Sequence, residues 1–157
     1  MQIGARKWVF VSGMVFRGGP VLTLDGKGRL TVPARWLDLL VTNVAGKMVV
    51  AKNPDGCLSL YPLPVWEKFE AELLELSQEH DAWRRIFIGS ATDVDIDGSA
   101  RLLIPPELRK WAGLEKDVKF MGVGPHFELW DMARYDEREA QAIAQGRPEP
   151  LRNMVIR

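Results

Sequence analysis

The chain has 157 residues, 46% hydrophobic and 27% charged. That is the make-up of an ordinary globular protein with room for one compact domain or two very small ones. Lys plus Arg is 21 and Asp plus Glu is 21, so no global field draws the chain to nucleic acid or to an anionic membrane, and any such contact needs local charge. Cys57 is the single cysteine, which excludes an intrachain disulfide, fits a reducing compartment and reads as a buried core residue.

Arg6 and Lys7 precede a short apolar run, but Ser12 and Gly13 interrupt it and no small-x-small cleavage site follows. The start reads as cytosolic, with Met14 a second plausible beginning and residues 1–13 a dispensable extension. "VLTL" (21–24) is the first strand, and Asp25-Gly26 opens a turn. Asp bonds its own backbone two residues on, and Gly supplies the positive φ. "RLTV" is the return strand, and Pro33 opens a helix, "ARWLDLLV", with Gly46 beyond its end. "KMVVAK" and "CLSLYP" pair across "NPDG". Residues 63–81 form one helix with Trp66, Phe69, Leu73 and Leu76 in an apolar stripe, and "AWRRIFIG" continues helically. Its many glutamates read as a solvated face.

The same order then repeats. "TDVDI" (92–96), Asp97-Gly98, "RLLI", Pro105, the helix "PELRKWAG" stopped at Gly113, the strands "VKFMGV" and "HFELWD", and a last helix follow in turn. Asp25, Gly26, Arg29, Leu30 and Pro33 recur 72 positions later as Asp97, Gly98, Arg101, Leu102 and Pro105. "CLSLYPLPVW" (57–66) recurs as "HFELWDMARY" (126–135), 69 positions later. Two collinear blocks mean an internal duplication. Copies of about 60 to 70 residues have little core of their own, so they are expected to pack on each other. The fold class read from this is α+β, mostly β, with two β-α-β repeats forming an internal pseudo-dimer. The divisions are 1–13 as extension, 14–90 and 91–145 as the two repeats with their helices, and 146–157 as a flexible tail.

Asp25 and Asp97 cap their turns, and Arg29 reaches back to the carboxylate; Asp25, Gly26, Asp97 and Gly98 are the loop-structuring residues. Turn capping alone leaves Lys27 unexplained. Arg17, Lys27, Arg29 and Arg35 face Asp25 alone, the most one-sidedly basic segment of the chain. The second copy sets Arg101, Arg109 and Lys110 against Asp93, Asp95, Asp97 and Glu107. Guanidinium groups on short loops suit phosphate contact or guanine readout in a major groove. One such patch binds weakly, so DNA binding requires several loops per particle. No catalytic constellation is visible: His80 and His126 lie near no nucleophile and acid pair, and there is no phosphate-binding glycine loop, HExxH or metal-ligand spacing. No metal, no cofactor and no small-molecule substrate are expected.

"MVFRGG" (14–19), "LDGKGRLTVPARW" (24–36), "LSLYPLPVWE" (58–67) and "DGSARLLIPPELRKWAGL" (97–114) together resemble the MraZ family of bacterial transcriptional regulators. The resemblance implies two AbrB-like swapped-hairpin units per chain, a homo-oligomeric ring, and loops that bind double-stranded promoter DNA at direct repeats. It further implies a role at the division and cell-wall gene cluster, in the cytoplasm and on the nucleoid. Motif matching makes Lys27, Arg29 and Arg101 the DNA-binding residues, with Arg35 added by its local charge. Residues 1–13 precede the usual start, Ser99 stands where the first loop has Lys27, and Pro20 falls in the opening strand. A ring that makes protein contacts without touching DNA is the competing expectation.

Overall fold

The computed structural model describes residues 13–154. Helix makes up 41% and strand 30% of them. The first half runs β1 (Phe16–Gly18), β2 (Val21–Thr23), β3 (Arg29–Thr31), α1 (Ala34–Val44), β4 (Lys47–Asn53), β5 (Cys57–Pro62) and α2 (Leu63–Leu74). A 3-10 turn (Gln78–His80) and α3 (Asp81–Phe87) lead into the second half. That half repeats the order as β6 (Thr92–Asp95), β7 (Arg101–Leu103), α4 (Pro106–Ala112), β8 (Asp117–Gly124), β9 (Phe127–Asp131) and α5 (Met132–Gln145). The α+β class and the two β-rich repeats read from the sequence are the ones observed.

The strands pair across the halves. A seven-stranded sheet has the order β1-β8-β9-β5-β4-β6, with β2 also on β8, and β3 and β7 form a separate two-stranded ribbon. Thus β2 of the first half lies on β8 of the second (Leu22 opposite Val118), while β6 of the second lies on β4 of the first (Met48 opposite Val94). Between them β5 and β9 join the halves, with Leu58 opposite Leu129 and Leu60 opposite Phe127. "RLTV" is therefore no return strand for "VLTL": both strands take their partners from the other half. The local hairpin keeps a single link of that kind, the Asp25 N–H donating to the Arg29 carbonyl at 3.0 Å. Each half alone is too small to cover its apolar strands, and the exchange buries them.

The alternation of a strand accounts for two cores. Met48 and Val50 turn to one face with Leu30, Leu102, Trp36, Phe120 and Phe127. Val49 and Ala51 turn to the other, against Tyr61, Val65 and Trp66. Both faces of β4 and β5 are covered, and Cys57 is fully buried with its thiol pushed up by that burial. In the first core the Phe16 and Phe127 rings stack at 4.2 Å, and Trp36 stacks on Phe120 at 5.5 Å.

Several local expectations change. Pro20 splits the opening strand into β1 and β2, as expected of a residue with no N–H to donate. Helix α1 ends at Ala45, in left-handed backbone at φ 55°, one residue before Gly46. The expected single helix over 63–81 stops at Leu74, and α3 is a separate helix. Arg84 makes that break possible. Its guanidinium donates to the carbonyls of Leu73 (2.9 Å), Leu76 (2.7 Å) and Ser77 (2.7 Å), at and just past the end of α2, where the helical ladder no longer supplies a full set of donors. Leu76 consequently leaves the apolar stripe and is exposed. Glu149–Arg152 form one exposed helical turn, α6, inside the segment read as a flexible tail. The proposed extension lies, Gly13 apart, outside the described residues.

Candidate nucleic-acid interface

Each half builds the same loop by the same bonds. Asp25 Oδ1 accepts from the backbone N–H groups of Lys27 and Arg29, both at 2.9 Å. Asp97 Oδ1 accepts from those of Ser99 (2.8 Å) and Arg101 (3.0 Å). The turn closes with Gly28 N–H to the Asp25 carbonyl and Ala100 N–H to the Asp97 carbonyl, both at 3.0 Å. Left-handed backbone falls at Gly28 (φ 84°) and Ala100 (φ 64°), and not at Gly26 or Gly98. The expectation that the Asp-Gly glycine carries the positive φ is therefore displaced by two positions, because the turn spans Asp25 to Gly28.

The two loops differ in how they hold their arginine. Arg29 Nε donates to Asp25 Oδ2 at 2.7 Å. In the second loop the corresponding ion pair is 3.5 Å long, and the buried Arg101 Nε hydrogen-bonds to nothing among the described residues. Asp25 is held down to about 2, chiefly by the Arg29 backbone N–H; desolvation opposes this, and the Arg29 side chain and the Lys27 N–H add to the lowering. Asp97 is lowered by the Arg101 backbone N–H first, and Arg29 adds to the lowering from the other loop. The two loops are thus electrostatic neighbours.

The ribbon explains this proximity. β3 and β7 pair antiparallel with Arg29 opposite Leu103, Leu30 opposite Leu102, and Thr31 opposite Arg101. Leu30 and Leu102 face the core with no exposed surface. Alternation turns Arg29, Thr31, Arg101 and Leu103 outward, and Leu103 is 52% exposed. Val32 N–H donates to the Ala100 carbonyl (2.7 Å) and Ile104 N–H to the Gly28 carbonyl (2.9 Å), so each loop is tied to the far end of the other strand. Ala100 lies opposite Val32, four residues beyond Gly28, so at about 3.4 Å per residue the two loop ends lie roughly 14 Å apart.

Lys27 is exposed on the first loop, and its side chain meets no acidic group among the described residues. Arg35 is turned elsewhere: its guanidinium lies 4.4 Å from the centre of the Trp36 ring and packs against Gly18 of β1. Arg109, which the sequence reading counted only as charge in the second copy, instead covers Gly28 of the first loop. The available signal was the 72-residue offset, which sets Arg109 against Leu37 and so marks a charge without a counterpart.

Among the described residues no group of three or more His, Cys, Asp or Glu side chains is arranged to hold a metal ion, and no helix is long and apolar enough to cross a membrane. His126 is stacked on Tyr61 at 4.9 Å, with Nδ1 buried and without a hydrogen-bond partner among the described residues.

Fold and loops define a duplicated, strand-exchanged protein that presents two arginine loops on one short ribbon. A sequence model of the family described as "MraZ protein, putative antitoxin-like" matches the chain twice, over residues 15–86 and 87–157. Proteins named transcriptional regulator MraZ from Burkholderia cenocepacia, Burkholderia lata and Burkholderia mallei are each 50% identical over 142 residues, which is 90% of this chain and 100% of theirs. The chain belongs to the MraZ family.

Proposed function

We propose that this chain is a transcriptional regulator that binds double-stranded DNA sequence-specifically through its two arginine loops, and that it has no catalytic activity. The observation that carries the reading is the outward face of the β3–β7 ribbon, where Arg29 and Arg101 sit diagonally across a two-stranded antiparallel unit. Such a ribbon fits a major groove, where guanidinium groups read guanine edges or hold phosphates. Lys27 beside Arg29 makes the first loop the stronger contact. The names of the Burkholderia relatives support the regulatory role.

One ribbon supplies few of the phosphate contacts that strong binding needs. The reading therefore includes a homo-oligomeric ring that sets several ribbons on promoter direct repeats, at the division and cell-wall genes. It places the protein in the cytoplasm on the nucleoid. The loops of repeats 14–90 and 91–145 share the work, and Arg35, held against Trp36 and Gly18, adds positive charge at the start of α1 rather than on the loop itself.

The test is selection of duplexes from a random library by the full chain, followed by affinity measurements with Arg29→Ala and Arg101→Ala. Arg29→Ala is expected to abolish selective binding and Arg101→Ala to weaken it, both with unchanged fold and assembly. A lost bidentate guanine contact costs roughly 1–3 kcal/mol per site. Failure of the wild type to enrich any sequence would sink the reading and favour a ring that contacts only protein. So would unchanged selectivity of Arg29→Ala.

A further inference from the structure

Gly28 and Ala100 hold the same place in the two loops and share left-handed backbone. Ala100 shows that this loop accepts a side chain at that position, so backbone conformation alone does not demand glycine at 28. What a side chain at 28 would displace is Arg109. The Arg109 guanidinium lies so close over the Gly28 α-carbon that an added Cβ would collide with it. Arg109 comes from α4, in the other half of the chain. Its Nε donates to the Ile104 carbonyl at 2.9 Å, and the Ile104 N–H donates to the Gly28 carbonyl at 2.9 Å. Three residues thus close a ring of contacts that fixes the guanidinium against the loop.

That arrangement serves a task beyond packing. Nε alone is bonded; the two terminal nitrogens hydrogen-bond to nothing among the described residues, and neither is a buried orphan. No ion pair neutralises Arg109 among the described residues. A guanidinium held by a main-chain carbonyl has already lost much of its rotamer freedom, so binding an anion costs it less. Lys27 and Arg29 flank Gly28 in the loop that Arg109 covers, and Asp25, paired with Arg29, is the one carboxylate of that loop. The counterpart of Arg109 on α1 is Leu37, which offers the second loop no such group.

We infer that Arg109 is a DNA phosphate-contact residue of the first loop, supplied across the halves, and that Gly28 keeps the space it needs. The inference rests on the DNA reading above and makes the two loops unequal by construction. The first presents three cations and the second one.

The experiment uses the full chain and a duplex that the wild type selects from a random library. Binding is followed by fluorescence anisotropy across a salt series. Arg109→Ala should flatten the plot of log affinity against log salt by about 1 per engaged subunit, the mark of one lost phosphate contact. Arg109→Lys should keep the slope while binding more weakly, since an ammonium lacks the planar fork. Gly28→Ala should flatten the slope like Arg109→Ala, with the arginine still present but displaced. Ala100→Gly should bind as the wild type does. If Arg109→Ala does not fold, Gly28→Ala and Arg109→Lys carry the comparison. A wild-type slope in both Arg109→Ala and Gly28→Ala would overturn the inference, and an affinity loss at unchanged slope would reduce Arg109 to a brace. Either result with Arg29→Ala still deficient leaves the DNA reading standing. A wild type that selects no duplex, or a fully active Arg29→Ala, would instead remove that reading and this inference with it.

Discussion

Leu30 and Leu102 lie directly opposite each other on the β3–β7 ribbon, and neither has any exposed surface. They are the same residue of the two repeats, so the pseudo-twofold axis passes between them. Truncating either to Ala should therefore cost a similar amount, in the range of about 2–5 kcal/mol for a buried leucine. Because the two positions are partners, the double variant should deviate from additivity by roughly 0.5–3 kcal/mol. Urea unfolding of the single and double variants measures this. Strongly unequal single losses would contradict the symmetry.

Arg84 should prove to be a stability residue despite its charge. It donates to three carbonyls and pairs with Asp81 at 2.6 Å, with 17% of its side chain exposed. Hydrogen bonds from a charged donor are worth about 1.5–3 kcal/mol each when their acceptors would otherwise be unmet. Here the exposed carbonyls regain water, so Arg84→Ala should cost about 2 kcal/mol in total. Hydrogen exchange should show the last turn of α2 and all of α3 opening first. Protection there equal to that of the wild type would refute it.

Asp25 should titrate far below an ordinary aspartate. Its folded pKa of about 2 is depressed by the Arg29 backbone N–H and side chain, from an unfolded value of about 3.9. A depressed carboxylate contributes its stabilisation above the unfolded value and loses it as pH falls through the folded one. The first loop should thus stay formed at pH 5 and loosen between about 4 and 2. Carboxyl carbon shifts read the midpoint directly. A midpoint near 4 would show that the capping bonds do not persist in solution.

His126 should make the protein acid-sensitive at milder pH. Burial depresses its pKa to about 4, and Nδ1 has no acceptor waiting for a second proton. The unfolded chain therefore binds a proton below about 6.5 that the folded chain refuses until about 4. Stability should be full above 6.5, fall through that window, and level off below it. His126→Phe should keep the stacking on Tyr61 and flatten the window, as thermal melts at pH 5 and pH 7.5 would reveal. An unaltered acid limb would place the sensitivity elsewhere.

Much of the architecture was legible because its signals are local and doubled. The Asp-Gly turns, the prolines opening α1 and α4, and the alternation in β4 and β5 each follow from a few neighbouring residues, and the duplication repeats them. Partner choice was less legible. Nothing within "VLTL" says that Leu22 lies opposite Val118 rather than against "RLTV", because pairing is decided by the apolar surface that each half leaves uncovered. The break after Leu74 escaped for a related reason. Helical periodicity continues to Leu76, and only Arg84, several residues on, makes stopping favourable. Arg109 was overlooked because its neighbour Gly28 is 81 positions away and belongs to the other repeat.

The exchanged strands also set a timetable for the nascent chain. Val21 lies in register opposite Lys119, so β2 emerges from the ribosome long before the strand that receives it. At about 5–20 residues per second, roughly 5 to 20 seconds separate the two. During that interval β2 is an unpaired edge of the kind that other chains can capture. Translation of several copies on one message brings such edges close together. Pairing between nascent neighbours then competes with completion of a single chain, and chaperone demand should peak while β8 is still inside the tunnel.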